Sequence, residues 1–443
     1  MKKILVLGAG FVAGPCVRYL LKDPENQVFL ADRYEKNVDA ILCGHPRGIK
    51  KVGDIAVEAK GWIEEIDPDL IVGLFTKNLF TPVTKLCMEK KKSLVLPSYP
   101  SPEIYEMRDE IKASGISVFV DLGVDPGIDH MSACSIIEDI HNKGGKIESF
   151  WSLCGSLPSQ EVNNNPMGYK ISWAPSSVVL ASRMNVTFLT EGKTVHYKDG
   201  EAYKHPFLVE VDGEGTFECY GTMGDSLIYA GLYNIPEAKT IFRGTLRYLG
   251  WSETVVALRK LGYFEDEVMD MSGMTFGALT RKLASIPNDK EIMEGVSDFL
   301  GVAPHSAVTL RLSWLGLLDE KKAIPITKGS TSNVMNEVYM EKMPYRHGER
   351  DLVLMQHRFD VKYEKENKRE RIFSILSERG AIGEETAIAR TTGLPIAMGA
   401  VLYLQKKYVK PGLIYPTVPE IYKPVMKMLA EENIVMRESV IAL

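Results

Sequence analysis

Along the front of the chain, short apolar runs alternate with stretches whose apolar residues recur at helical spacing. Ile4 to Leu7, Gln27 to Ala31, Leu70 to Phe75, Ser93 to Leu96 and Ser117 to Val120 have the pattern of strands. Between them, Phe80 to Lys90 and Pro102 to Ser114 have the pattern of helices. The second is opened by Ser101 as an N-cap, with Pro102 at the first helical position. This cadence predicts βαβ units, hence a parallel sheet with helices on both faces. Residues 1–125 therefore read as one doubly wound, Rossmann-type α/β domain.

From Lys146 the texture changes. Ile147 to Leu153, Val186 to Leu189, Phe207 to Val211 and Thr216 to Tyr220 are strand-like, with Asn163 to Pro166 as a turn and no helices expected between the strands. A mainly antiparallel sheet follows from that spacing. Helical patterns return at Ser252 to Leu261, Ser306 to Leu318 and Thr392 to Leu404. The charge-dense stretch Lys362 to Arg371 reads as a solvated helix or connector.

Composition narrows the classes. With 53 basic against 58 acidic residues the net charge is −5, and no long basic run gives nucleic acid or an anionic membrane anything to hold. No apolar stretch reaches the roughly 18 residues of a spanning helix, and Met1-Lys2-Lys3 leads directly into a strand, so neither a membrane segment nor a signal peptide is expected. The 6 cysteines show no paired spacing, which points to reduced thiols and a cytoplasmic location. The histidines form no ligand-like pattern, so no metal is expected.

The chemistry begins at Gly8-Ala9-Gly10-Phe11-Val12-Ala13, a G-x-G-x-x-A pattern where strand passes to helix. Gly8 would make the tight turn, Gly10 would let backbone approach a pyrophosphate, and Ala13 would let helix and strand pack closely. Asp32 stands at the end of the next strand, where a carboxylate accepts hydrogen bonds from an adenosine ribose. Its charge favours NAD. Arg33 beside it either pairs with a 2′-phosphate, stacks on adenine or is a solvated charge, so the cofactor is NAD(P), with NAD or NADP undecided.

Two further clusters are candidates. Asp121 to His130 follows the last parallel strand, at the edge where open α/β sheets bind ligands. Asp125 and His130 are its acid/base candidates, unless Asp125-Pro126-Gly127 is only a turn and Asp129 a cap. In Phe242 to Tyr248, an extended chain would put Arg243, Thr245 and Arg247 on one face, which suits a substrate with more than one carboxylate. The alternative is a pair of surface ion pairs. Lys77, just after a strand end, is either a surface lysine or a residue reaching the cleft.

Several longer motifs run in one order: Gly8 to Val12, Ser98-Tyr99-Pro100-Ser101-Pro102, Gly123 to His130, Gly144-Gly145-Lys146, Asn165 to Trp173, Ile235-Pro236-Glu237-Ala238, Arg243 to Tyr248 and Pro411-Gly412-Leu413. Together they resemble the saccharopine dehydrogenase family, in its glutamate-forming branch. The resemblance implies interconversion of saccharopine with glutamate and 2-aminoadipate 6-semialdehyde, through an imine and with a nicotinamide cofactor. It implies an α+β substrate domain with a mixed sheet over residues 126–250 and 371–443, whose C-terminal segment returns to the first domain, and a mainly helical insertion over 251–370. It also implies that Ser98, Tyr99 and Asp125 line the substrate cleft and that Cys154 lies near the reacting centre. Thr245, Leu246 and Arg247 would bind substrate, and Gly123 and Gly127 would run along the cofactor. Asp125, Tyr99 and Cys154 are thus the catalytic candidates, and the partner is a small amino-acid substrate, with a homodimer left open.

The chain departs from that branch at Cys219 to Ser226, where an arginine is expected and none is present. A charge-assisted bond is worth about 1.5–3 kcal/mol. Its loss keeps open a related imine reductase acting on another amino-acid or carboxylated polyamine adduct. A dinucleotide-binding regulator without turnover is the reading from a different class.

Overall fold

A computed structural model describes the 443-residue chain except for Met223 and Glu384. The chain divides into two compact units. The first comprises Met1–Lys146, Lys362–Arg369 and Leu376–Ser439, and the second Ile147–Val361, Glu370–Ile375 and Val440–Leu443.

In the first unit, β1 (Lys2–Leu7), β2 (Asn26–Asp32), β3 (Gly48–Val52), β4 (Leu70–Gly73), β5 (Leu94–Val95) and β6 (Ser117–Phe119) form a parallel sheet, completed beyond β6 by the strand Gly412–Ile414. From that strand the order runs β6-β5-β4-β1-β2-β3, so the chain reverses direction across the sheet between β1 and β4. Ile4, Leu5, Val6 and Leu7 are all fully buried, as expected of a strand covered by helices on both faces. The hydrophobic pattern did not single out β3. Its Lys50 and Lys51 lie at a sheet edge and pair with Glu35 and Glu65, so little apolar signal is left.

Helix α1 (Ala13–Lys22) follows β1, and α2 (Ile128–Asn142) follows β6. Because α2 is bonded from Glu138 to Tyr422 and Lys423, the first unit extends to Lys146, beyond the expected boundary at 125. Helix α3 (Ala387–Leu404) extends the expected Thr392–Leu404 segment to 18 residues with mean hydropathy 1.3. It is therefore long and apolar enough to cross a membrane, contrary to the sequence expectation, yet 72% of it is buried within the protein. It lies against α1 so closely that a Cβ on Gly393 would come within 2.5 Å of the Val12 carbonyl oxygen.

The second unit is built on a mixed sheet of β7 (Lys146–Pro158), β8 (Val186–Thr190), β9 (Lys193–Tyr197), β10 (Phe207–Val211), β11 (Gly215–Gly221), β12 (Thr240–Arg247), β13 (Asp351–Tyr363) and β14 (Lys368–Arg379). The main path runs β10-β11-β12-β7-β13-β14. It is not purely antiparallel, since β12 and β7 pair in parallel. One face is apolar, carrying Leu153, Phe217, Cys219, Phe242 and Leu246. Helices Trp251–Lys260, Phe276–Ala284, Ile292–Leu300, Ala307–Trp314 and Thr331–Lys342 enclose a separate core around Trp251, Tyr263, Leu312 and Tyr339. The helical portion ends there, because β13 occupies 351–363 within the range expected to be helical. The charge-dense stretch from Lys362 is neither helix nor linker. It is the turn of the β13–β14 hairpin, and Arg371 reaches across it to both oxygens of Asp360, at 2.6 and 2.9 Å.

Because backbone leaves no room beside Gly393, we expect Gly393→Ala to wedge α3 from α1 and destabilise the protein by about 1–3 kcal/mol. Urea unfolding read as a lowered midpoint with unchanged slope is the check.

Candidate active site

The glycine turn between β1 and α1 is shaped by contacts that differ from one glycine to the next. Gly8 has φ +107°, and a Cβ there would lie 2.3 Å from the Leu74 carbonyl oxygen, so the turn is pressed onto the end of β4. At Gly10 a Cβ would meet nothing within 4 Å, leaving open space above the backbone. Val12 gives the first turn of α1 no side-chain cap, so its leading amides remain available to an anion. Ala13 is fully buried where helix meets sheet, and Phe11 is 71% exposed beside the turn. The donor set and the open space fit a dinucleotide pyrophosphate.

Asp32 has a different task from the one its position suggested. Its Oδ2 accepts the Ala9 N–H at 2.8 Å and its Oδ1 accepts the Tyr34 N–H at 2.9 Å, so the carboxylate ties the glycine turn to the end of β2. Its charge is partly balanced within the protein, which weakens it as grounds for choosing NAD. Arg33 is exposed and pairs with Asp54 at 2.9 Å, a contact worth at most about 1 kcal/mol and easily exchanged for another anion.

At the carboxyl edge of the same sheet, the loops after β5 and β6 come together. The Tyr99 hydroxyl donates to Asp125 Oδ1 at 3.1 Å, both side chains being half-buried, and the Ser98 carbonyl accepts the Asp121 N–H at 3.3 Å. Gly123 and Gly127 have a reason within the loop itself. The Gly123 N–H donates to the Pro126 carbonyl at 2.8 Å, and a Cβ on Gly127 would fall 2.0 Å from the Gly123 oxygen. A role along a cofactor is not needed to explain them. His130 is fully buried, its Nε2 3.3 Å from Asp121 and its Nδ1 3.7 Å from Asp129. It supports the loop from below and is not open to solvent. Asp129 folds back to the Gly127 N–H at 2.5 Å, as a cap would.

In the second unit, the sheet face opposite the apolar one carries the remaining candidates. Register places Tyr220 beside Thr245 and Thr245 beside Cys154, a row across β11, β12 and β7. Arg243 and Arg247 flank that row and are 3% and 6% exposed, so they are not surface ion pairs. They also do not converge, because four residues of strand separate them by about 13 Å. Arg243 Nη1 donates to the Tyr229 hydroxyl, and its guanidinium lies 4.6 Å from that ring. Arg247 lies 4.7 Å from the Tyr169 ring and 5.7 Å from the Trp251 ring. Among the described residues no carboxylate pairs with Arg247, and its Nε has no hydrogen-bond partner. Glu218, opposite it in register, is instead bound to the N–H groups of Gly250 and Ser252 at 2.8 and 2.5 Å.

The Leu246 side chain is fully buried in the apolar face, on the side of the sheet away from Thr245 and Arg247. The aromatic wall of Tyr169, Tyr203, Tyr220 and Trp251 was not anticipated, as these residues come from distant segments and share no spacing. In the stretch where an arginine was expected, Met223 lies outside the described residues. Thr222 Oγ1 accepts from Thr245 Oγ1 at 3.2 Å, and Asp225 accepts the Leu227 N–H at 2.8 Å. Burial pushes the Cys87 and Cys134 thiols up to about 12, which leaves them inert.

Two families match along nearly the whole chain: the saccharopine dehydrogenase NADP binding domain over residues 4–119 and the saccharopine dehydrogenase C-terminal domain over residues 123–435. The chain belongs to the saccharopine dehydrogenase family. A relative from Saccharomyces cerevisiae, described as saccharopine dehydrogenase [NADP(+), L-glutamate-forming], is 33% identical over 100% of both chains. The solved apo structure of the L-Glu-forming saccharopine dehydrogenase from that yeast matches with TM-score 0.88 and 30% identity, covering 100% of both chains. Alpha-aminoadipic semialdehyde synthase of Arabidopsis thaliana is 31% identical over 98% of this chain and 44% of its own length.

In this chain the two turn glycines should respond differently to added bulk. Gly8→Ala is expected to lower stability by about 1–3 kcal/mol through its clash with Leu74. Gly10→Val should leave the unfolding midpoint nearly unchanged while removing NADPH binding, as read by quenching or enhancement of nucleotide fluorescence.

Proposed function

We propose that this chain is an NADP-dependent oxidoreductase that interconverts saccharopine and water with glutamate and 2-aminoadipate 6-semialdehyde. The observation that carries the reading is Arg247, a buried guanidinium with no carboxylate partner among the described residues. A buried cation left this way is costly unless an anionic ligand completes it. Saccharopine bears three carboxylates, and the fold places Arg247 two residues along the strand from Thr245, which neighbours Cys154.

When bound, the nicotinamide supplies the acceptor for a hydride from the carbon beside the secondary nitrogen. Water then adds to the resulting imine carbon, and the carbon–nitrogen bond breaks to give the aldehyde and the amine. Asp125, hydrogen-bonded by Tyr99, is the group we assign to hold a proton during these steps. Arg247 orients the substrate through a carboxylate, with Thr245 beside it. Orientation alone contributes much of the acceleration in such condensations. The reduced, largely buried cysteines suit a cytoplasmic enzyme.

The stretch without arginine supports a second reading, an imine reductase acting on a carboxylated polyamine adduct. Purified protein should oxidise saccharopine with NADP+, and with NAD+ less efficiently, as followed by reduced-nucleotide absorbance. Turnover only with another amine adduct would favour the second reading. We expect Arg247→Met to raise the KM for saccharopine by tenfold or more, with the melting temperature unchanged or higher, since a buried charge gives way to an apolar side chain.

A further inference from the structure

Lys77 begins the short helical turn Lys77–Leu79 just after β4, on the carboxyl edge of the parallel sheet, where β4 and β1 adjoin and the strand order reverses. Its ammonium lies 5.4 Å from the centroid of the Tyr99 ring. That same Tyr99 donates its hydroxyl proton to Asp125. One aromatic side chain therefore has a cation over its face and a carboxylate at its hydroxyl, brought from three successive strand ends.

Lys77 differs from most basic residues near acidic groups in this chain, because among the described residues no carboxylate lies within ion-pair distance of it. The surrounding protein removes water from the ammonium, which pulls its pKa below the usual lysine value, and the more distant Asp121 opposes this. The other charged or titratable groups at this edge are Asp125 in the same loop, with Asp129 and His130 behind Asp121. A cation over one face of the Tyr99 ring and a carboxylate at its hydroxyl offer opposite charges on one edge to an α-amino acid, which presents a carboxylate and an ammonium from one carbon.

We propose that Lys77 is a specificity-determining residue whose ammonium binds an α-carboxylate of the substrate, while Asp125 takes the adjacent amino group. This rests on the reading that the substrate is a multi-carboxylate amino acid.

The test uses the NADP-loaded enzyme with Lys77→Met and Lys77→Arg. Lys77 exposes much of its surface even though protein crowds its ammonium, and an unchanged melting temperature in both variants shows that they fold. Lys77→Met is expected to raise the KM of saccharopine about tenfold to a hundredfold, with kcat and the KM of NADP+ changing by less than about threefold, and Lys77→Arg should recover most of the loss. Amidating the relevant α-carboxylate should weaken binding to the wild type by a similar factor and add little in Lys77→Met. An unchanged saccharopine KM in Lys77→Met would overturn the proposal, as would a fall in kcat with loss of one limb of the pH profile, which marks proton transfer. A wild type that fails to oxidise saccharopine would defeat the substrate reading instead. In that case calorimetric titration of glutamate and 2-aminoadipate into wild type and Lys77→Met decides the role of Lys77, equal affinities counting against it.

Discussion

The close approach of backbone to backbone at the carboxyl edge of the parallel sheet is the constraint on which the first unit depends. Gly8 lies against the Leu74 carbonyl, Gly127 against Gly123, and Gly393 of α3 against Val12. At each place a methyl group would collide with main chain, which cannot swing aside as a side chain can. The turn after β1, the loop after β6 and the start of α1 are therefore held within narrow limits, and the Tyr99–Asp125 bond forms between loops that have little freedom to separate. Asp32 adds a polar tether to the same turn. Preorganisation of this kind lowers the ordering cost when a ligand arrives.

The second unit meets a different demand. It keeps the Arg247 guanidinium out of water with no carboxylate partner among the described residues, and aromatic rings stand in for the missing hydration. Tyr169 and Trp251 offer Arg247 their π faces, a partial compensation of roughly 0.5–2 kcal/mol each. Glu218 could have neutralised the charge from the adjacent strand, but its oxygens are taken by the amides that begin the helix Trp251–Lys260. The carboxylate opposite Arg247 in register thus serves as a helix cap and not as its counterion.

Much of this was legible in the residues alone, for reasons that can be stated. Strands buried on both faces, such as β1 and β4, are unbroken apolar runs, and the turn after β1 carries its own glycine pattern. Phe80–Lys90 was read with its observed ends, because Pro82 near its start and the lysines at its end punctuate a clear period. What escaped was whatever depends on partners distant in sequence. The hairpin at Lys362 to Arg371 looks like a solvated connector until Arg371 is seen to reach Asp360. The task of Asp32 cannot be separated from ribose binding by position, since both use a carboxylate at the end of β2. Leu246 was carried over with its neighbours Thr245 and Arg247, although strand alternation turns it to the opposite face. Only the saccharopine dehydrogenase resemblance connected Cys154 with β12, roughly 90 residues later, a pairing that loop-closure entropy makes unreadable from local pattern.

The arrangement of the first unit also bears on how the protein is made. The sheet begins with Lys2, yet its edge beyond β6 is closed by Gly412–Ile414, and α1 is covered by α3 from Ala387–Leu404. A ribosome therefore releases the nucleotide-binding half long before the elements that seal it exist. During that interval α1 lacks its apolar cover and β6 presents an open edge, the two features that invite association between nascent chains. Synthesis of such a chain places a premium on chaperone capacity, and truncation anywhere before α3 should yield aggregates in preference to a soluble amino-terminal fragment.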